Sequence, residues 1–380
     1  MRPISSTISS SSGRLESRPR VAHLTTTRWG LLVAALLLSG IGLATVQSAT
    51  SELTIDYLPR QALWVAVGVV LLFVVFAINY QVLMGLSAAI YGASLVSLVL
   101  VLFVGQTGGG AQMFLGIGGF RLQPSEFAKV ATALFLARYL AGVNQRHVGI
   151  RQVLVAGLII FVPMALVVLE SDLGSAAMFG PMLVGALVVS GIRWRTIAAS
   201  SVIVVVAGAL VWNFAMHDYQ RQRVRTFVSP EEDPLGAGYQ VRQSKIAVGS
   251  GKILGKGYMQ GTQSQLRFLP ARHTDFVFAV LAEEWGFLGV ATVFALYALY
   301  FSNGMRVAAR ARDRAGILLV VALLSTFGFH VLYNTAMVVG LVPVTGIPLP
   351  FLSYGGSFTL ANFIAAGLIL GVDFRRYVNR

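Results

Sequence analysis

No cysteine occurs in the 380-residue chain, which excludes disulfides and thiol catalysis and leaves the compartment open on that count. Charge is scarce too: 12% of residues are Asp, Glu, Lys or Arg, against 56% hydrophobic. So much apolar surface with so little charge exceeds what a soluble core can use, and a soluble fold is excluded. Acids are scarcer than bases, 15 against 29. The resulting charge of +14 would suit a nucleic-acid partner only as a patch on a folded face. Here the bases sit between hydrophobic runs, and nucleic acid is excluded as a partner. Histidine is sparse, and His147, His217 and His330 fall at no spacing that makes a metal-binding motif.

What is present is a series of apolar runs near twenty residues, at 29–48, 61–78, 82–104, 124–141, 152–169, 173–190, 196–216, 276–302, 315–340 and 355–373. Runs of this length cross a bilayer as helices. They predict an all-α polytopic membrane protein with about ten transmembrane helices, the fifth and sixth nearly continuous. Residues 1–27, rich in Ser, Thr and Arg, are expected to be a disordered cytoplasmic tail. The first run is too long for a signal peptide's apolar core and is expected to be an uncleaved span. The membrane domain covers 28–373, and 374–380 form a cytoplasmic end.

Short-loop bases set the orientation. Arg138, Arg146 and Arg151 share one side with Arg193 and Arg195, with Arg306, Arg310, Arg312 and Arg314, and with Arg375, Arg376 and Arg380. The positive-inside rule makes that side cytoplasmic. An even count places both termini there and leaves 217–274, between helices seven and eight, as a long extracytoplasmic loop. That loop holds nine Lys or Arg against four acids, Asp218, Glu231, Glu232 and Asp233, a net +5 on the side usually poor in bases. Long loops cross regardless of charge, so a solvated surface loop is one reading. The other is a site: Lys, Gln, Ser and Gly interleave in "YQVRQSKIAVGSGKILGKGYMQGTQSQLRFLP". Gly-rich backbone amides can approach an anion there, and Lys or Arg supply countercharge.

Just beyond, "RFLPARHTDFVFAVLAEEWGFLG" sets Arg272, His273 and Asp275 at the mouth of an apolar helix and Glu283 and Glu284 inside it. Ionisable groups within a span cost a few kcal/mol and face a polar cavity or a partner. "DYQRQRVRTFVSPEEDPLGAGYQVRQSKIAVGSGKILGKGYMQGTQSQLRFLPARHTDFVFAVLAEEWGFLG", together with "GFRLQPSEFAK" and "VTGIPLPFLSYGGS", resembles the SEDS family, the shape, elongation, division and sporulation proteins. The resemblance runs from about residue 28 to the C-terminus, and "GTQSQLRFLPARHTDF" is similar to the elongation branch.

The resemblance implies a ten-span peptidoglycan glycosyltransferase of the cytoplasmic membrane, its site on the outer face. It would polymerise lipid II, a disaccharide-pentapeptide on undecaprenyl pyrophosphate, onto a nascent glycan. It also implies a class B penicillin-binding protein as membrane partner, alongside other elongation-complex proteins. Such inverting transfer needs one base for the acceptor hydroxyl, while pyrophosphate leaves without an acid, given positive charge.

The family's essential Asp lies in the HTDF motif, at Asp275 here. On the residues alone, "TD" before "FVFAV" also reads as an ordinary helix cap, and the two roles are compatible. Arg223, Lys245, Lys256, Gln263, Ser264, Arg272, His273 and Thr274 are candidates for substrate binding. Glu126 and Lys129, three apart on one helix face, read equally as a buried ion pair or as part of the site. Glu283 and Glu284, about 12 Å down a continuous helix from Asp275, are expected to be partners for bases on other spans. Asp172, in "ESDLGSAA", is a site position by resemblance and a solvated turn otherwise.

"GLVPVTGIPLPFLSYGGS" cannot continue a helix. With Ser353, Gly355 and Gly356 it reads as one wall of the site or as a plain connector, and irregular backbone at membrane depth needs protein or a water-filled cavity beside it. A divalent cation, Mg or Mn, would help neutralise pyrophosphate, with ligands the sequence does not identify. Two other functions stay open: a lipid II flippase, against which stand the absence of an internal repeat and the charged signatures near the outer face, and a scaffold for a transpeptidase, which leaves HTDF unexplained.

Overall fold

The computed structural model describes residues 28–51, 53, 56–108, 111–117, 120–143, 148–192, 198, 226–227, 236–266, 268–269 and 271–378. Its helices are α1 (Gly30–Thr50), α2 (Leu58–Ala77), α3 (Tyr80–Val104), α4 (Pro124–Ala141), α5 (Ile150–Leu169), α6 (Leu173–Ala177), α7 (Phe179–Val189), α8 (Ala237–Ser250), α9 (Thr262–Gln265), α10 (Val277–Arg310), α11 (Arg314–Val338) and α12 (Gly356–Val378). Seven of these, α1, α2, α3, α5, α10, α11 and α12, are long and apolar enough to cross a membrane. The chain is a polytopic helical membrane protein. Every apolar run read from the sequence coincides with a helix, α6 and α7 together covering the sixth, except 196–216, which but for residue 198 lies outside the described residues, as do the 1–27 tail and Arg223.

Its packing is that of a bundle in lipid. Val70, Val96 and Leu158 are each 60% exposed, whereas Glu126, Lys129, Glu283, Asn334 and Asp373 are buried. Apolar side chains face outward and the polar groups lie inside, where partners spare them the cost of hydrocarbon.

The bases of the short loops gather at one end and work there. Arg375 donates to the carbonyls of Phe76 (3.0 Å) and Ala77 (2.7 Å), the open C-terminus of α2. Arg138 donates to the carbonyls of Met84 and Gly85 in the second turn of α3, and Arg314 to that of Val143, just past the end of α4. Asp313 caps α11 through Gly316 N–H (2.8 Å) and accepts Tyr80 O–H (2.8 Å) from the start of α3. Arg28 N–H reaches Asp373 (2.8 Å), so the start of α1 and the end of α12 meet on this basic end, as an even number of crossings requires. The opposite end carries the HTDF segment.

Three features shape that opposite end. Between α3 and α4 the chain makes a small antiparallel sheet, ordered β1 (Gln106–Gly108), β2 (Ala111–Ile117), β3 (Phe120–Leu122), with Thr107 opposite Gln112 and Gly116 opposite Arg121. Second, the 340–355 loop re-enters the bundle. Tyr297 O–H bonds the Pro350 carbonyl (2.6 Å), and the Phe351 ring lies 5.1 Å from Phe363. Phe363 is seven residues into α12, so the loop reaches about 10 Å below that helix's start.

The third is that α10 is broken. Gly286 has φ 61° and ψ −161° within it, and a Cβ there would stand 2.3 Å from Gly255 N, so no other residue fits. The rings of Phe278 and Phe294 are 5.9 Å apart; in a straight helix, sixteen residues would separate them by about 24 Å. The arm 277–285 therefore folds back along the arm 287–310, which at about 36 Å crosses a bilayer alone. Backbone groups freed by the break are taken by the 252–257 loop: Lys256 and Gly257 N–H bond the carbonyls of Glu283 and Glu284 (3.0 Å each), while Phe287 and Leu288 N–H bond those of Lys252 and Ile253 (2.9 and 3.2 Å).

Candidate active site

Asp275 lies in a tight turn. The Ala271 carbonyl accepts N–H groups from Thr274 (3.1 Å), Asp275 (3.1 Å) and Phe276 (3.3 Å), with Ala271 at φ 50°. Phe276, not Asp275, occupies the N-cap of α10, so the carboxyl is not in the capping position. It points to the re-entrant loop instead: a Cβ on Gly346 would lie 3.5 Å from Asp275 Oδ2.

That loop is bonded to the HTDF turn along its length. Ser353 O–H donates to the Thr274 carbonyl (2.6 Å) and accepts Leu349 N–H (2.8 Å), and Tyr354 N–H bonds the His273 carbonyl (2.9 Å). From α2, Gln61 donates to Thr359 Oγ1 (3.1 Å) and accepts Gly355 N–H (3.2 Å). Gly356 is held where a Cβ would stand 2.6 Å from the Trp64 ring, so only glycine starts α12 there. Ser353 thus ties the loop to the turn that carries Asp275, while Gly355 and Gly356 pack against Gln61 and Trp64 of α2.

At the rim, the rings of Tyr57, His273 and Tyr354 cluster, Tyr57 lying 5.0 Å from each of the other two. Burial, reinforced by the Arg272 guanidinium, holds His273 below the usual histidine range, so its ring is neutral at pH 7. Arg272 is 5% exposed, and Arg60 of α2 hydrogen-bonds the Tyr354 side chain. Arg60 and Arg272 bring two cations to the rim.

The turn between α5 and α6 also joins the site. Asp172 caps α6 through Ser175 N–H (3.0 Å) and accepts Gln123 Nε2 (2.9 Å) from the start of α4. A Cβ on Gly174 would stand 2.6 Å from the Thr345 carbonyl of the re-entrant loop. Its neighbour Glu170 is 1% exposed, and neither carboxyl oxygen has a hydrogen-bond partner among the described residues. Burial first, then the Asp172 charge, pushes its pKa up to about 8. A carboxyl raised from 4.5 in the unfolded chain to about 8 folded gives stability that is full below pH 4.5 and is lost as pH rises through about 8. The melting temperature should therefore fall between pH 5 and pH 8.5, and Glu170→Gln should flatten that fall, gaining on the order of a few °C at pH 8. Thermal melts across that range would show it; parallel curves for the two proteins would remove the assignment.

Deeper in the bundle, Lys129 Nζ pairs with Glu126 (2.9 Å) and lies 3.4 Å from His330 Nε2. The i,i+3 pair read from the sequence is formed and buried.

The basic loop divides differently from its expected role. Lys256 Nζ bonds Glu283 Oε1 (2.6 Å), which also accepts Thr262 O–H (3.1 Å) and Gln263 N–H (3.0 Å). Glu283 thus pairs with a base of the loop, not of another span, because the break at Gly286 brings the arm's end up to that loop. Glu284 takes the Ser48 hydroxyl of α1. Gly251 and Gly255 serve close backbone approach: added Cβ atoms would stand 1.9 Å from the Ala282 carbonyl and 2.1 Å from that of Glu284. The Lys256 and Gly257 amides bond α10, so they are not a cradle for an anion. Lys245 packs its ammonium over Gly340, just past the C-terminus of α11, where the helix dipole favours a cation. The Ser264 side chain lies outside what the structure describes.

Gln61, Gln123, Asn334 and Arg60 belong to this end and were not singled out from the sequence. A buried Gln or Asn inside an apolar run is the signal that could have found the first and third. No group of three or more metal-ligating side chains stands together among the described residues.

The cell cycle protein family of FtsW, RodA and SpoVE matches this chain over residues 23–377. The chain belongs to that family. Peptidoglycan glycosyltransferase MrdB of Escherichia coli K12 is 40% identical over 358 residues, 93% of this chain and 94% of that protein. Among solved structures, a chain of a peptidoglycan synthase complex, studied for how polymerisation and crosslinking are coordinated, matches with TM-score 0.79 and 31% identity over 92% of this chain and 98% of its own. The rod shape determining protein RodA of Thermus thermophilus matches with TM-score 0.69 and 29% identity over 92% and 97%. The resemblance read from the HTDF, QPSEFAK and LPFLSYGGS motifs is borne out, and the FtsW, RodA and SpoVE family is the one those motifs pointed to.

Proposed function

We propose that this chain is a peptidoglycan glycosyltransferase of cell elongation, polymerising lipid II into glycan strands at the outer face of the cytoplasmic membrane. The observation that carries the reading is the Asp275 carboxylate, held against the re-entrant loop within a frame of three elements and rimmed by Arg60 and Arg272. Asp275 takes the proton of the acceptor hydroxyl as its oxygen bonds the donor's anomeric carbon. The bond from that carbon to the pyrophosphate oxygen breaks, and undecaprenyl pyrophosphate leaves with its electron pair. Arg272 and Arg60 bear the charge that grows on it. Thr274 and the neutral His273 face the sugars. Mg2+ or Mn2+ is proposed only as a companion of the pyrophosphate, whose charge it would help neutralise.

A class B penicillin-binding protein is the proposed membrane partner, within a larger elongation complex. Support comes from the related chain solved in a synthase complex. Sidedness follows from the basic end, which the positive-inside rule makes cytoplasmic, with both termini.

Purified protein in detergent, given labelled lipid II alone, should make glycan chains. Their absence across Mg2+, Mn2+ and added transpeptidase would sink the reading in favour of a flippase or scaffold. In intact cells, an impermeant thiol reagent should label Ser250→Cys and spare Asn379→Cys; the reverse would overturn the outer-face placement.

A further inference from the structure

Two polar side chains of α11, His330 and Asn334, lie one helical turn apart and grip consecutive carbonyls of the re-entrant loop. Asn334 is fully buried, and its Nδ2 donates to the carbonyls of Ile347 (2.7 Å) and Asp275 (2.8 Å). One amide group thus uses both hydrogens to tie the HTDF turn to the loop facing the Asp275 carboxyl. Its Oδ1 is buried without a partner among the described residues. The orientation is therefore set by the donors, since a flipped amide would set oxygen against two carbonyl oxygens.

His330 Nδ1 lies 3.2 Å from the Pro348 carbonyl, and Nε2 lies 3.4 Å from Lys129 Nζ. A carbonyl only accepts and an ammonium only donates, so one neutral tautomer, with hydrogen on Nδ1, satisfies both contacts. Lys129 is fixed in turn by Glu126 at 2.9 Å. The Ile347 and Pro348 carbonyls belong to irregular backbone within the bundle, where they need donors from side chains.

We infer that Asn334 and His330 are positioning residues for Asp275, transmitting the rigidity of the buried Glu126–Lys129 pair to the turn that aims its carboxyl. The inference rests on Asp275 being the base. Neither side chain is placed on the substrate, so their loss should fall on kcat and spare KM, and a displacement near 1 Å costs on the order of a hundredfold.

The test is lipid II polymerisation by purified variants, with thermal melts on each. Asn334→Asp, nearly isosteric but unable to donate, should lower kcat by roughly 10- to 100-fold with KM for lipid II within about threefold. His330→Asn, whose amide nitrogen can stand in for Nδ1, should retain more kcat than His330→Gln, whose amide replaces only Nε2. In an Asp275→Asn background, Asn334→Asp should cost little further, because it acts through the lost carboxylate. Full additivity there, or a kcat within twofold of wild type for Asn334→Asp, would overturn the positioning role. Activity retained by Asp275→Asn itself would instead remove the base assignment, a distinguishable failure.

Discussion

Replacing Asp275 with Asn is expected to cut glycan polymerisation at least a hundredfold while the protein still inserts and folds. The turn that holds residue 275 is made by main-chain groups: its N–H bonds the Ala271 carbonyl, and its carbonyl accepts Asn334 Nδ2. An Asn side chain leaves both bonds intact and adds no volume. It removes only the basic oxygen, and general-base catalysis contributes on the order of 10²–10⁴-fold. Rates measured on labelled lipid II, beside melts of the same preparations, separate loss of chemistry from loss of fold. Turnover within about tenfold of wild type would assign the base elsewhere. Asp275→Glu should also be impaired, because an added methylene carries the carboxyl away from the position that the HTDF turn gives it. If Asp275→Glu retained full rate, the close fit of the site would be refuted, though not the role of the carboxylate.

How much of this was legible beforehand depends on sequence distance. The spanning helices follow from run length alone, and the irregular 340–355 segment from its prolines and glycines. HTDF carried Asp275, and "QPSEFAK" carried an ion pair whose members are three apart. What stayed hidden was made by contacts between distant segments. Gly286 inside "EEWGFLG" looks like a tolerated helical glycine, and only the neighbouring 252–257 backbone, bonded to both sides of the break, turns it into a fold-back. That break moved Glu283 and Glu284 from the depth of a continuous helix to the edge of the loop. Asn334 and His330 were lost for another reason. Nearly every position of the 315–340 run is apolar, so periodicity does not mark which face looks inward. The strands at 106–122 fell in a gap between two apolar runs, where glycines mask any alternation.

The same reassignment makes Lys256 the site of the largest expected loss of stability. Its ammonium bonds a Glu283 carboxylate that is 0% exposed, and Glu283 also collects Thr262 and Gln263, fastening the start of α9 to the arm behind Asp275. Lys256→Met keeps the apolar stem and removes the charge. Breaking a buried ion pair by removing one partner costs on the order of 3–5 kcal/mol; the partial exposure of Lys256, 27% at its side chain, puts the expected figure near or below the lower end, still enough to lower the melting temperature by several degrees. Glu283→Gln alone should cost less, since the amide still accepts from Thr262 and Gln263. The double variant Lys256→Met with Glu283→Gln should recover much of the loss, because the buried charge is removed together with its counterion. Activity should track these melts. If Lys256 were instead a pyrophosphate ligand, Lys256→Met would lose turnover at unchanged stability, and Glu283→Gln would not rescue it.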